Sequence, residues 1–214
     1  MKKVRGRGPV VHLDRTQKAK MIDAFLRDYL GRPIEGFRML DIGSGNGMIS
    51  RFFADHNEVY SVDVRELRNQ LDPRVHFQLV DSETLPFDDD FFDLVLSHHV
   101  IEHVADQGRH LDEMHRVVKP GGTCYLGTPN KSSPVMEGHV GNESVLRLRQ
   151  MAPLFRNHGF EPLGYSVKMM RRPFEFHCEK TFGRFLPTWV LEALKVFFPS
   201  HSFILEPRAV STAA

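Results

Sequence analysis

The densest chemistry in the sequence is the run Met39-Leu40-Asp41-Ile42-Gly43-Ser44-Gly45-Asn46-Gly47. An apolar stretch carrying a carboxylate runs into glycines, which let a main chain turn tightly and pass close to a ligand. A helix that follows such a turn presents its first amides to negative groups. A second carboxylate, Asp63, stands at the end of the next apolar stretch. There a charged acceptor matches the paired hydroxyl donors of a ribose. The pattern is GxGxG, because Met48 takes the place of the third glycine of the dinucleotide fingerprint. A third cluster is Ser97-His98-His99-Val100-Ile101-Glu102-His103. Within it, His99 to His103 spells H-x-x-E-H, the inverted zinc-protease arrangement. On a helix, His99 and His103 share one face, as two zinc ligands require. Further on, Glu137 and His139 stand on either side of Gly138 in the segment Pro134–Asn142, and an acid and an imidazole there suit the orientation of an acceptor. The acidic run Asp88–Asp90 reads as a solvated turn before a buried strand rather than as a cation site.

Alternating elements must position these groups. Met21, Ile22, Phe25, Leu26, Tyr29 and Leu30 recur at helical spacing, which predicts a helix from Thr16, its N-cap, to Leu30, with Gly31 as the stop. Strands are predicted at Arg38–Ile42, Glu58–Val62, Val75–Val80, Phe92–Leu96 and Thr123–Gly127. Helices are predicted at Met48–His56, at Leu111–Val118 before the stop Lys119-Pro120-Gly121-Gly122, and from the cap Asn142 to Asn157. Phe160–Met170 and Ser202–Leu205 read as late strands. Strands alternating with helices predict a mainly parallel sheet covered on both faces.

The glycine turn, Asp63 and the runs that follow resemble class I S-adenosylmethionine (SAM)-dependent methyltransferases. The likeness is to the broad small-molecule group that includes the ubiquinone and menaquinone biosynthesis enzymes. It holds in register over about residues 36–130, through Leu85-Pro86-Phe87, Phe92-Asp93-Leu94-Val95 and Arg116–Gly122. The resemblance implies a doubly wound, Rossmann-like α/β fold with a mainly parallel sheet and a late antiparallel hairpin. It implies SAM as cofactor, with contacts at Asp41, Gly43, Ser44, Gly45, Asp63, Val64, Asp81, Ser82 and His98. Asp41 would support the methionine end, Asp63 the ribose, Val64 and Asp81-Ser82 the adenine. His98 would lie beside the methionine moiety. The family's similar run EHV carries a structural histidine, which weighs against zinc at His99 and His103, so no metal is expected. Beyond Thr128-Pro129-Asn130 the family diverges, and acceptor choice is expected there.

The chain has 214 residues, 41% hydrophobic and 26% charged, with a net charge of +1. One domain over 1–214 is expected, with a cofactor half of about 16–130 and an acceptor half of about 131–214. The balanced charge offers no bulk field for nucleic acid, and only Lys2, Lys3, Arg5 and Arg7 form a basic tail. Two separated cysteines, Cys124 and Cys178, argue against a disulfide framework and fit a cytoplasmic setting. Residues 174–203 are rich in aromatics, and Pro187 to Pro199 bound a stretch around Trp189 that is apolar nearly all round. Core packing, a lid, a dimer contact, an amphiphilic acceptor or a weak membrane-surface contact would each bury it. The function expected is methyl transfer from SAM to a small-molecule, lipid or saccharide acceptor, driven mainly by alignment. A general base is needed only for a weakly acidic hydroxyl or carbon acid, and His99 and His139 are the candidates. The rival functions are a non-catalytic SAM-binding protein and a zinc metallohydrolase using His99 and His103.

Overall fold

A computed structural model describes residues 15–80, 84–129, 148–168 and 200–208. Helix α1 (Arg15–Leu30) buries Ala19, Ile22, Phe25 and Leu26, one face at helical spacing. It is already formed at Arg15, so Thr16 lies inside its first turn and does not cap it. Gly31, at φ +67°, ends it by returning its amide to the Arg27 carbonyl at 2.9 Å.

The central strand β1 (Arg38–Ile42) leads through the glycine turn into α2 (Met48–Phe53). That helix is shorter than its pattern predicts and ends at Ala54, whose amide bonds the Ser50 carbonyl. β2 (Glu58–Asp63) and β3 (His76–Leu79) follow, then β4 (Phe92–His98). Helix α3 (Gln107–Val117) begins earlier than its apolar spacing suggests, because Asp106 accepts the Arg109 amide and caps it. β5 (Val118–Pro129) also begins early. Phe92 pairs with Val118 but Leu94 with Thr123, so Lys119–Gly122 is a bulge within the strand rather than a turn ahead of it. The described residues close with α4 (Leu148–Asn157), β6 (Phe160–Lys168) and β7 (Ser200–Pro207).

The seven strands lie in the order β3-β2-β1-β4-β5-β7-β6. β1 to β5 pair in parallel, and β7 runs antiparallel between β5 and β6. This is the doubly wound, mainly parallel sheet with a late antiparallel pair that the sequence predicts. Side chains alternate across it with period two. Leu40, Val95, Leu126, Phe203 and Leu205 pack on the side of α3 and α4, against Leu111, Met114 and Phe155. Met39, Leu94, Leu96, Tyr125 and Ile204 pack on the other, against Ile22, Phe25 and Leu26 of α1. The winding reverses between β1 and β4, so the crevice for a ligand opens at their carboxyl ends. No helix of the described residues is long and apolar enough to cross a membrane.

Candidate functional site

The turn after β1 is held by backbone geometry. Gly43, Gly45 and Gly47 have φ of +70°, +58° and +69°, in the left-handed region. A Cβ on Gly43 would stand 2.5 Å from Val100 Cγ2, and one on Gly47 2.1 Å from Leu71 Cδ2. The Gly43 and Ser44 amides both donate to the Val62 carbonyl, at 2.8 and 3.3 Å. Ser44 is buried, and its Oγ has no hydrogen-bond partner among the described residues. Beneath the turn, Asp41 is buried and accepts a 2.5 Å hydrogen bond from Ser50 Oγ, which ties the end of β1 to α2.

Asp63 ends β2 beside this turn, and its Oδ2 accepts the Gly45 amide at 2.9 Å. Burial alone would raise its pKa. Hydrogen bonds from the Arg65 side chain and from the Gly45 and Arg65 amides, with the Arg65 charge, outweigh burial and hold the carboxyl below its usual range. The next residue, Val64, is 69% exposed although apolar, and Leu79, paired with Asp63 across β2 and β3, is 47% exposed. Two open apolar side chains thus flank a buried carboxylate, which suits a flat heterocycle joined to a polyol.

A second polar group lies at the ends of β4 and β5. His98 Nδ1 is 3.3 Å from the Tyr125 hydroxyl, which is 2.9 Å from Ser202 Oγ on β7. The Tyr125 hydroxyl is pushed up to about 12 by burial, against a smaller opposing effect of the Ser202 bond. Gly127 leaves room for the His98 ring, since a Cβ there would stand 2.4 Å from Nδ1. The His99 ring lies edge-on to that of His98, with centroids 4.5 Å apart. Its backbone sits at φ +59°, an uncommon conformation for a residue with a Cβ, and its amide donates to the Gly127 carbonyl at 2.8 Å. His99 Nδ1 is 3.0 Å from Glu102 Oε1. One residue before His98, Ser97 Oγ bonds His110 Nε2 at 3.0 Å within the core.

This geometry removes the basis of the zinc reading. Residues 101–103 form a turn, not a helix, and His103 is exposed. Glu102, which would be the base of a zinc protease, is buried against His99. Among the described residues no group of three His, Cys, Asp or Glu could hold a metal. The structure brings Asp41, Gly43, Ser44, Gly45, Asp63 and Val64 together on one side of the crevice and places His98 and His99 at the end of β4. Asp81, Ser82, Glu137, His139 and the aromatic stretch Phe174–Phe198 lie outside the described residues. Sequence reasoning missed Arg65, whose signal was its place two residues after the acid. It also missed Tyr125, which reads as one more apolar residue of a strand, and the pairing of Glu102 with His99.

Comparison with known proteins agrees with this geometry. Residues 40–126 match the family described as a methyltransferase domain. The chain is 38% identical over 108 residues to demethylmenaquinone methyltransferase from Clavibacter sepedonicus, covering 45% of this chain and 44% of that protein. The chain spans only part of the length of its curated relatives, 23% of a biotin biosynthesis bifunctional protein from Cellvibrio japonicus and 57% of a ubiquinone biosynthesis O-methyltransferase from Brucella ovis. Among solved structures it resembles 1,6-didemethyltoxoflavin-N1-methyltransferase of Burkholderia thailandensis, solved with bound 1,6-didemethyltoxoflavin and S-adenosylhomocysteine. The TM-score is 0.61 at 18% identity, over 91% of this chain and 78% of that one. It also resembles the [4+2]-cyclase SpnF, with TM-score 0.65 at 18% identity, over 91% and 81%. Strand order and glycine turn are those of the class I methyltransferase fold, and residues 40–126 within it match a methyltransferase domain.

Proposed function

We propose that this chain transfers the methyl group of SAM to a small-molecule acceptor that must lose a proton as it is methylated. The observation that carries the cofactor half is the Gly45 amide on Asp63 Oδ2 at the carboxyl ends of β1 and β2. The buried Ser44 Oγ, with no hydrogen-bond partner among the described residues, suits a ligand against this turn. Asp63 would accept the ribose hydroxyls and Val64 would pack on the adenine, with Asp81 and Ser82 at its edge. Asp41 would hold the turn for the methionine end, beside Gly43 and His98. When bound, SAM supplies an electrophilic methyl on a sulfonium, whose leaving thioether is neutral.

The protein's own part is alignment, exclusion of water and movement of one proton. Alignment of this kind is worth about 7–11 kcal/mol of barrier. His99 is the candidate base. Buried Glu102 fixes Nδ1, which directs the other ring nitrogen to act on the acceptor, as a carboxylate orients a catalytic imidazole. A phenolic or enolic hydroxyl, or an acidic carbon, fits such a base. Relatives described as demethylmenaquinone methyltransferase and ubiquinone biosynthesis O-methyltransferase support an acceptor of this kind. His139 would be a second polar contact, and residues 131–214 would supply the acceptor pocket. The aromatic stretch there suits an amphiphilic acceptor or a membrane surface.

Calorimetry with S-adenosylhomocysteine, followed by mass-spectrometric detection of methylated product over a panel of phenols and quinols, tests the reading. Binding of S-adenosylhomocysteine with turnover of at least one hydroxyl acceptor is expected. Binding without turnover of any acceptor supports a non-catalytic SAM-binding protein. Absence of binding refutes the cofactor assignment. His139→Ala is expected to reduce turnover far more than cofactor binding.

A further inference from the structure

Beside Asp63 lies a cation that binding of a nucleoside does not require. Asp63 Oδ1 accepts the Arg65 amide at 3.0 Å and Arg65 Nε at 3.2 Å. Oδ2 accepts the Gly45 amide at 2.9 Å and Arg65 Nη2 at 3.4 Å. A carboxylate has about four lone-pair positions, so these four donors fill it. The amides of Gly45 and Arg65 are fixed in the main chain. The two remaining donors belong to one guanidinium, and a side-chain rotation removes both. The two positions it would vacate equal the number of hydroxyls on a ribose.

We propose that Arg65 is an affinity-setting residue of the cofactor subsite. Its guanidinium occupies the acceptor positions that a ribose diol needs, and it leaves Asp63 when the diol binds. The proposal rests on the reading of Asp63 as the ribose acid. Exposure makes the exchange feasible, since the Asp63 side chain is 5% exposed and that of Arg65 64%, so the released cation moves into water. The exchange replaces a charge-assisted pair with neutral donors, and it thereby holds cofactor affinity down. Both SAM and its demethylated product meet the same competitor, so the latch also shortens product residence. Salt screens the exposed guanidinium more than it affects hydroxyl donors, which sets a sign for the ionic-strength dependence.

Calorimetry on the full chain separates the possibilities. The ligands are S-adenosylhomocysteine and its analogue lacking both ribose hydroxyls; the proteins are wild type, Arg65→Ala, Arg65→Gln and Asp63→Ala. Both Arg65 variants are expected to bind S-adenosylhomocysteine about three- to tenfold more tightly than wild type. The dideoxy analogue should gain nothing. Wild-type affinity for S-adenosylhomocysteine should rise between about 0.05 and 0.5 M salt, while that of the Arg65 variants stays flat. Equal or weaker binding by the folded Arg65 variants, with Asp63→Ala still weakened, overturns the latch and leaves the ribose assignment standing. An equal gain with the dideoxy analogue also overturns it. Failure of all four proteins to bind S-adenosylhomocysteine overturns both.

Discussion

Glu102 Oε1 lies 3.0 Å from Nδ1 of His99, and the Glu102 side chain is 2% exposed against 35% for His99. A buried carboxylate thus grips one nitrogen of an accessible imidazole, at the carboxyl end of β4. If this pair prepares a base, His99→Ala should lower kcat by about 10²-fold or more, with little change in the Kd of S-adenosylhomocysteine. Glu102→Gln should act in the same direction but less severely, and should change the pH dependence of kcat. Stopped assays across pH with both variants check this. Unchanged kcat in folded His99→Ala would leave the pair with a structural role only.

Asp63→Ala should weaken S-adenosylhomocysteine binding by about 1.5–3 kcal/mol, the scale of hydrogen bonds to a charged group. The fold should survive, because the carboxylate sits at a strand end. Calorimetry and a thermal melt on the same sample separate loss of a contact from loss of structure.

The depressed Asp63 pKa sets a pH window. Its folded value lies below the ordinary 3.8, so its ionic contribution to stability is fully present above that value. That contribution is lost as pH falls through the lower, folded value. Wild type minus Asp63→Asn, followed by urea melts from neutral pH downward, should give a constant difference until pH drops below about 4. A difference that already shrinks near pH 6 would contradict the assignment.

Gly43→Ala should destabilise the protein by about 1–3 kcal/mol. It forces a Cβ into the left-handed region and against Val100. Val100→Ala in the same chain should recover only part of the loss, because the backbone strain remains. Denaturant midpoints of the single and double variants measure the two shares.

Asp106→Ala should cost about 0.5–2 kcal/mol by leaving the Arg109 amide of α3 without its cap. A change in urea midpoint with unchanged slope is the expected signature.

The sheet was legible because its central strands β1, β4 and β5 are buried on both faces. Met39 to Ile42, apart from Asp41, and Leu94 to Leu96 read as apolar runs, and helices between them show one apolar stripe. The glycine turn was legible for a different reason, since glycines at positive φ admit few substitutes. What could not be read depends on contacts between distant residues. Asp106 caps α3 ahead of the first apolar residue, so periodicity alone starts the helix too late. The H-x-x-E-H spacing predicts zinc only on a helix, and the Gly127 carbonyl instead holds the His99 amide in a turn. Arg65 is one more surface cation until the fold brings Gly45 to the other side of Asp63.

The last strand lies inside the sheet. β7 is inserted between β5 and β6, although both precede it in the chain. Its Phe203 and Leu205 complete the core that Leu126 and Phe160 begin. During synthesis the ribosome releases β5 and β6 first, and each waits with an unpaired edge until residues 200–207 emerge. A polypeptide stalled before that point would present two open hydrogen-bonding edges and a half-built hydrophobic layer, the condition in which chains pair with one another. Insertion of residues 200–207 is therefore the step that closes both edges at once and removes the template on which two chains could pair.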